Sequence, residues 1–100
     1  MEVNEVTLTG ELTAVEPLRY TPAGVPLSGF RILHRSQQIE GGVKRQVECE
    51  LPGVAIAQVA LGMSGFKAGR TVTIRGFLNR KNRMSAQLVL HATSMETAKD

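Results

Sequence analysis

Cysteine occurs once in these 100 residues, at Cys49, so no internal disulfide can form and no cysteine-based metal cluster is available. The two histidines, His34 and His91, lie in separate strand-like runs, and no grouping of Cys, His and carboxylate has metal-ligand spacing. Neither has the nucleophile and carboxylate that acyl transfer requires, so both are read as packing or hydrogen-bonding residues, with no catalytic residue assigned and no cofactor expected. Long apolar spans are absent as well, which excludes a helix crossing a membrane. Glu2 and Glu5 stand where a secretory signal would carry cations, so the expected location is the cytoplasm. Repeats and low-complexity tracts are missing too. What remains, 100 residues of which 42% are hydrophobic, suits one domain over residues 1–100 with a core of its own and a frayed end over 97–100.

Charge is missing in a pattern. The first sixteen residues hold Glu2, Glu5, Glu11 and Glu16 and no cation, whereas Lys67 to Met95 holds no carboxylate. The formal charge of +3 therefore understates the rest of the chain: from Pro17 to Met95 eleven Lys and Arg face only Glu40, Glu48 and Glu50, a local balance of +8. The densest cationic cluster lies in the acid-free stretch. Arg80, Lys81 and Arg83, joined by Asn79 and Asn82, form a hairpin tip between two alternating runs: Val72, Ile74 and Leu78 with Gly76, then Leu88, Leu90 and Ala92. Each run can bury one face in a sheet, which pushes the tip into solvent, where it suits phosphate groups. A merely solvated turn accounts for the same residues.

The rest of the chain also reads as strands. Val6, Leu8, Gly10 and Leu12 alternate with Thr7, Thr9, Glu11 and Thr13, the pattern of a half-buried first strand. Pro17, Pro22, Gly24 and Pro26 make Glu16 to Pro26 a turn region. A second strand follows with Phe30, Ile32 and His34 on one face and Arg31, Leu33 and Arg35 on the other; Gly41-Gly42 marks a loop. In the third strand Val47, Cys49 and Leu51 share a side, which makes Cys49 a small, inert core residue, and Pro52 ends the run. Gly53 to Phe66 is apolar without alternation and fits a short helix through Val54, Ala57, Ala60 and Leu61, or an irregular apolar loop. The order is therefore all-β: a five-stranded OB-fold barrel with a short helix or apolar loop between strands three and four. Such barrels bind oligonucleotides on strands two and three and on the loops joining strands one to two and four to five. Those elements carry Arg19, Arg31, Arg35, Lys44, Arg45, Arg80, Lys81 and Arg83.

Several short segments follow one another in order along nearly the whole chain. They are LRYTPAGVP at Leu18 to Pro26, Phe30, His34-Arg35-Ser36, Gln46, Cys49, Pro52, Arg75-Gly76-Phe77 and Leu88-Val89-Leu90-His91-Ala92. Together they resemble bacterial single-stranded-DNA-binding proteins and, more closely, their relatives in the PriB family, primosomal replication protein N. The resemblance implies an OB-fold homodimer that binds single-stranded DNA and serves replication restart by scaffolding the PriA helicase at stalled forks. DnaT, in some bacteria, and single-stranded-DNA-binding protein are the further partners it implies. A full-length single-strand-binding protein fits less well, because no long linker or acidic tip precedes the end at Ala98-Lys99-Asp100.

Residue by residue, the resemblance carries nucleic-acid contact to Arg19 in the first long loop, to Arg35 in the His-Arg-Ser segment, and to Arg80, Lys81 and Arg83. Tyr20, beside Arg19, is a stacking candidate or a structural lid, and Lys44 and Arg45 complete the expected site. Phe77 falls on the face opposite Val72 and Ile74, where packing or a dimer contact is expected first and base stacking second. The family presents Phe and Trp near strand three, where this chain has Val43 and Glu48. Because stacking is worth about 1–3 kcal/mol per base, electrostatics is expected to carry more of the binding here. A different class of function stays open: a basic protein-interaction module docking acidic partner segments, with weak DNA contact or none.

Overall fold

In the alternating first run, Gly10 and Leu12 turn inward and are buried while Thr9 and Glu11 stay exposed, and this run forms β1 (Val6–Val15). The computed structural model describes residues 2–98. After β1 come β2 (Arg19–Tyr20), β3 (Pro26–Glu40), β4 (Val43–Ile56), the helix α1 (Gln58–Gly62), β5 (Thr71–Arg80) and β6 (Leu88–Thr97). β1 pairs with two strands, its first half with β5 from Val6–Gly76 to Glu11–Thr71, and its second half with β3 from Glu11–Leu33 to Val15–Phe30. The register shifts between Leu12 and Ala14, and a bulge of this kind bends a strand enough to leave one neighbour for another. β5 pairs with β6, β6 runs parallel to β4 over Leu90–Ala92 against Gly53–Ala55, and β4 pairs with β3 along its whole length. The ring β1-β5-β6-β4-β3 closes on itself, giving the five-stranded OB-fold barrel with its helix between the third and fourth barrel strands, β4 and β5.

Inside the barrel, Leu12, Phe30, Ile32, Ala55, Val72, Ile74, Leu90 and Ala92 form a core, and Ala60 and Met63 from α1 and its end cover it. Several glycines have a neighbour too close for a side chain, most tightly Gly76 and Gly53. A methyl at Gly53 would meet the ring of Phe30, and one at Gly76 would meet the carbonyl oxygen of His91 on the neighbouring strand. Among the described residues no helix is long and apolar enough to cross a membrane.

Several expectations are corrected. The turn region contains a strand of its own, β2, because Arg19 and Tyr20 pair with Leu27 and Pro26. Pro52 does not end its strand: it sits opposite Arg31 where β4 has no second neighbour, since pairing with β6 begins at Gly53, so a missing N–H is tolerated. The apolar run from Gly53 divides accordingly. Its start is barrel strand up to Ile56, Ala57 breaks the chain direction with a φ of 61°, and the helix occupies only five residues. Cys49 is exposed, not buried. β3 and β4 outrun the barrel, and beyond Leu33 neither packs on a core, so the inward side of the third run faces solvent there. Near the end of the chain Thr97 pairs with Val72, and the Ala98 N–H bonds to the Thr71 carbonyl at 3.0 Å. Residues 99–100 lie outside the described residues.

Candidate nucleic-acid interface

Ladder partners share one side of a sheet, so Arg31 with Pro52, Leu33 with Glu50, Arg35 with Glu48 and Ile39 with Lys44 all lie on the outer face of β3 and β4. Where this face meets β6, the β2 hairpin stands at one side and the loop of residues 81–87 at the other. Between them lies an open groove of about 390 Å³, whose walls include Arg19, Arg31, Lys81 and His91 over a floor containing Gly29 and Val54. Three cations distant in sequence thus converge. Glu16 lines the groove as well, its carboxylate lying over Gly29, so the groove is not uniformly basic.

The loop beyond the groove is ordered by its own polar residues. Asn79 Oδ1 accepts the Arg80 N–H at 2.7 Å, Asn82 Oδ1 accepts the Met84 N–H at 2.9 Å, and the Lys81 N–H donates to the Gln87 carbonyl at 2.9 Å. Arg80 turns back to donate from Nη1 to the Arg83 carbonyl at 3.3 Å. The asparagines that join the cations in sequence therefore hold the turns that present them. A second hollow of about 290 Å³ is lined by residues 79–83 together with His91, which makes the loop continuous with the groove.

Not all cations are equally available to an anion. Three ion pairs occur among the described residues: Arg31 with Glu50 at 3.4 Å, Arg35 with Glu48 at 2.6 Å and Arg45 with Glu40 at 3.5 Å. The hydrogen bond and charge of Glu48 raise the Arg35 pKa. Glu50 also accepts the Thr13 hydroxyl at 2.6 Å, and that bond, helped by Arg31 and opposed by desolvation, holds its carboxyl below the usual range. Arg19, Lys44, Arg80, Lys81 and Arg83 make no ion pair among the described residues.

Of the eight residues expected at the site, the structure gathers Arg19, Arg80, Lys81 and Arg83 at the groove and its loop. Tyr20, exposed at 61%, lies outside the groove lining, as strand alternation beside Arg19 requires. Arg35 lies four residues beyond Arg31 on the same face, about 13 Å further along the strand. Lys44 and Arg45 lie near the end of the β3–β4 hairpin on opposite faces, well away from the groove. Two groove residues lie outside the expected site: Arg31, named only among the cations of the binding elements, and His91, read as a packing residue. Arg31 was legible in the outward alternation of its strand; His91 had no such signal, because its place follows from the parallel pairing of Val54 with His91.

A family model described as "Another single-strand binding protein family" matches residues 4–94. The chain is 42% identical over 88 residues to the replication restart protein PriB of Nitrosomonas europaea, covering 88% of this chain and 82% of that one. It is 34% identical over 100 residues to PriB of Photorhabdus laumondii, covering 96% and 94% respectively. Among solved structures, PriB from Ralstonia solanacearum superposes with a TM-score of 0.89 at 30% identity, covering 98% of this chain and all of that one. The single-stranded DNA binding protein from Thermus aquaticus shares the fold, with a TM-score of 0.77 at 21% identity over 97% of this chain and 50% of that one.

Proposed function

The chain belongs to the PriB family of replication restart proteins, relatives of the single-strand binding proteins, and on that premise we propose that it binds single-stranded DNA in replication restart without catalysing a reaction. The observation that carries this reading is the convergence of Arg19 from β2 and Lys81 from the loop of residues 81–87, neither held in an ion pair among the described residues, on one groove across the outer face of the barrel. That is the surface on which this fold takes oligonucleotides. Phosphates sit along a cationic groove with release of counterions, and unpaired bases meet the flat surface of Val54, Val89 and His91. Arg80, Lys81 and Arg83 extend the phosphate path over the loop.

The protein also acts, in this proposal, as a homodimer that scaffolds the PriA helicase at stalled forks, with DnaT and single-stranded-DNA-binding protein as further partners in the cytoplasm. Support for self-association comes from the long β3–β4 hairpin, whose outer edges have no neighbouring strand past Leu33 and before Gly53 and are open to pairing. Support for a protein partner comes from the loop tip, where Met84 is 95% exposed next to Arg83, an apolar anchor beside a cation. This favours a second use of the same loop, docking an acidic segment of a partner protein.

A titration of labelled oligo-dT and of a matching duplex at two salt concentrations tests the reading. The single strand should bind more tightly than the duplex and weaken steeply with salt; absence of oligo-dT binding at low salt overturns the proposal.

A further inference from the structure

Beyond the groove, the outer face of the β3–β4 hairpin carries Arg35 and Lys44, which together with Arg31 would make a natural track for a longer strand. Two carboxylates stand on that track. Glu50 holds Arg31 at 3.4 Å and is itself fixed by the Thr13 hydroxyl at 2.6 Å, so its position is set by β1 across the barrel seam. Glu48 is opposite Arg35 in the ladder and accepts its Nε–H at 2.6 Å. From Leu33 outward this face holds two cations, Arg35 and Lys44, and two carboxylates, Glu48 and Glu50, so it has no net attraction for a polyanion. The loop of residues 81–87 has three exposed cations, counting Arg80 at its edge, and no carboxylate.

We infer that Glu48 and Glu50 set the length of single strand the protein holds: by occupying Arg35 and Arg31 they keep phosphates off the β3–β4 hairpin and confine the strand to the groove and the cationic loop. A phosphate reaching Arg35 must displace a carboxylate already in contact with it and then lie beside that unpaired charge. This inference rests on the single-strand reading above and goes beyond it by naming residues that act against binding. They are specificity residues for footprint, and they do so without touching the bound nucleotides.

Glu48→Gln and Glu50→Gln, singly and together, test it; glutamine keeps the shape and can still accept from Thr13. Each variant should tighten oligo-dT binding about two- to fivefold, the range an exposed ion pair allows. The log affinity against log salt slope should steepen by about 0.7 for each arginine released, and the double variant should cover more nucleotides per protein at saturation. Glu40→Gln removes the same charge from a pair on the opposite face of the hairpin and should change neither slope nor footprint. Glutamine variants with wild-type slope and footprint, in a protein whose oligo-dT binding is weakened by Lys81→Ala, overturn this inference alone. An equal gain from Glu40→Gln also overturns it, by reducing the effect to net charge. Failure of the wild type and every variant to bind oligo-dT removes the single-strand reading and this inference with it.

Discussion

The imidazole of His91 lies flat on the ring of Phe77, with centroids 5.0 Å apart and 6° between the planes. The pair joins β6 to β5 on the outside of the barrel, where His91 lines both the basic groove and the hollow beside the loop. Phe77 therefore supports a groove wall from behind. Phe77→Ala is expected to cost about 0.5–1.5 kcal/mol of folding stability beyond lost area and to weaken oligo-dT binding, because His91 loses its backing. Thermal melts and titrations read the two effects. A variant with reduced stability and unchanged affinity would show that the stack serves the fold alone.

Lys81 and Arg83 are expected to contact phosphate directly, whereas Arg80 also ties the loop together through the Arg83 carbonyl. Replacing Lys81 and Arg83 with Ala should make the salt slope shallower by about 1.4, at roughly 0.7 per contact on single strands, with the circular dichroism spectrum unchanged. The triple replacement with Arg80→Ala should exceed an added 0.7, since it also loosens the loop. An unchanged slope in the double variant would remove the loop from the interface.

Cys49 is exposed on the hairpin of the single chain, so its labelling by a neutral thiol reagent reads the proposed dimer. Labelling of the folded protein slower than that of the unfolded chain is expected if a second copy covers the hairpin; labelling at nearly the unfolded rate would place the dimer contact elsewhere.

Gly76→Ala is expected to be among the most damaging single substitutions, because the added methyl meets the backbone carbonyl of His91, which cannot swing aside as a side chain can. Overpacking of this kind costs about 1–3 kcal/mol. In a domain of this size each kcal/mol lowers the melting temperature by roughly 4–8 °C. A melting point equal to the wild type would place the close approach elsewhere.

The depressed Glu50 pKa has a definite sign in stability. A carboxyl whose folded value lies below its unfolded value contributes stability above the unfolded value and loses it as pH falls through the folded one, so the effect belongs to the acid limb. Thr13→Val should move the Glu50 titration upward, observed by side-chain NMR, since the hydroxyl is the leading cause. The same titration midpoint in the variant would assign the shift to Arg31 instead.

The barrel was legible because its strands obey period-two burial: Gly10 and Leu12, Phe30 and Ile32, and Val72 and Ile74 are each buried on one face as the alternation requires. The hairpin was misread at Cys49 because alternation reports which side a residue faces and not whether anything lies on that side. Pro52 was misread, and the apolar run was taken as helical too early, for a related reason. Whether a proline can remain in a strand, or an apolar run stay extended, depends on a neighbour such as β6 that pairs from far along the chain. The loop cations were visible as a cluster, but the groove needed the parallel contact of β4 with β6, and the neutralisation of Arg31 and Arg35 needed the register of β3 on β4.

The hairpin formed by β3 and β4 is clamped where it leaves the barrel. There His34 bonds through Nδ1 to the Thr9 carbonyl and through Nε2 to the Ser36 hydroxyl, both at 2.7 Å. Outward of that clamp the two strands hold only each other, and the molecule reaches a long dimension of 50 Å. Such a cantilever opens from its free end. Amide protons should exchange fastest near Gly41 and Gly42 and become progressively slower toward His34, giving a graded protection profile in place of one cooperative step. A bound strand or a second protein copy lying along the hairpin would flatten that gradient, which makes exchange along these two strands a direct gauge of whether the arm is occupied.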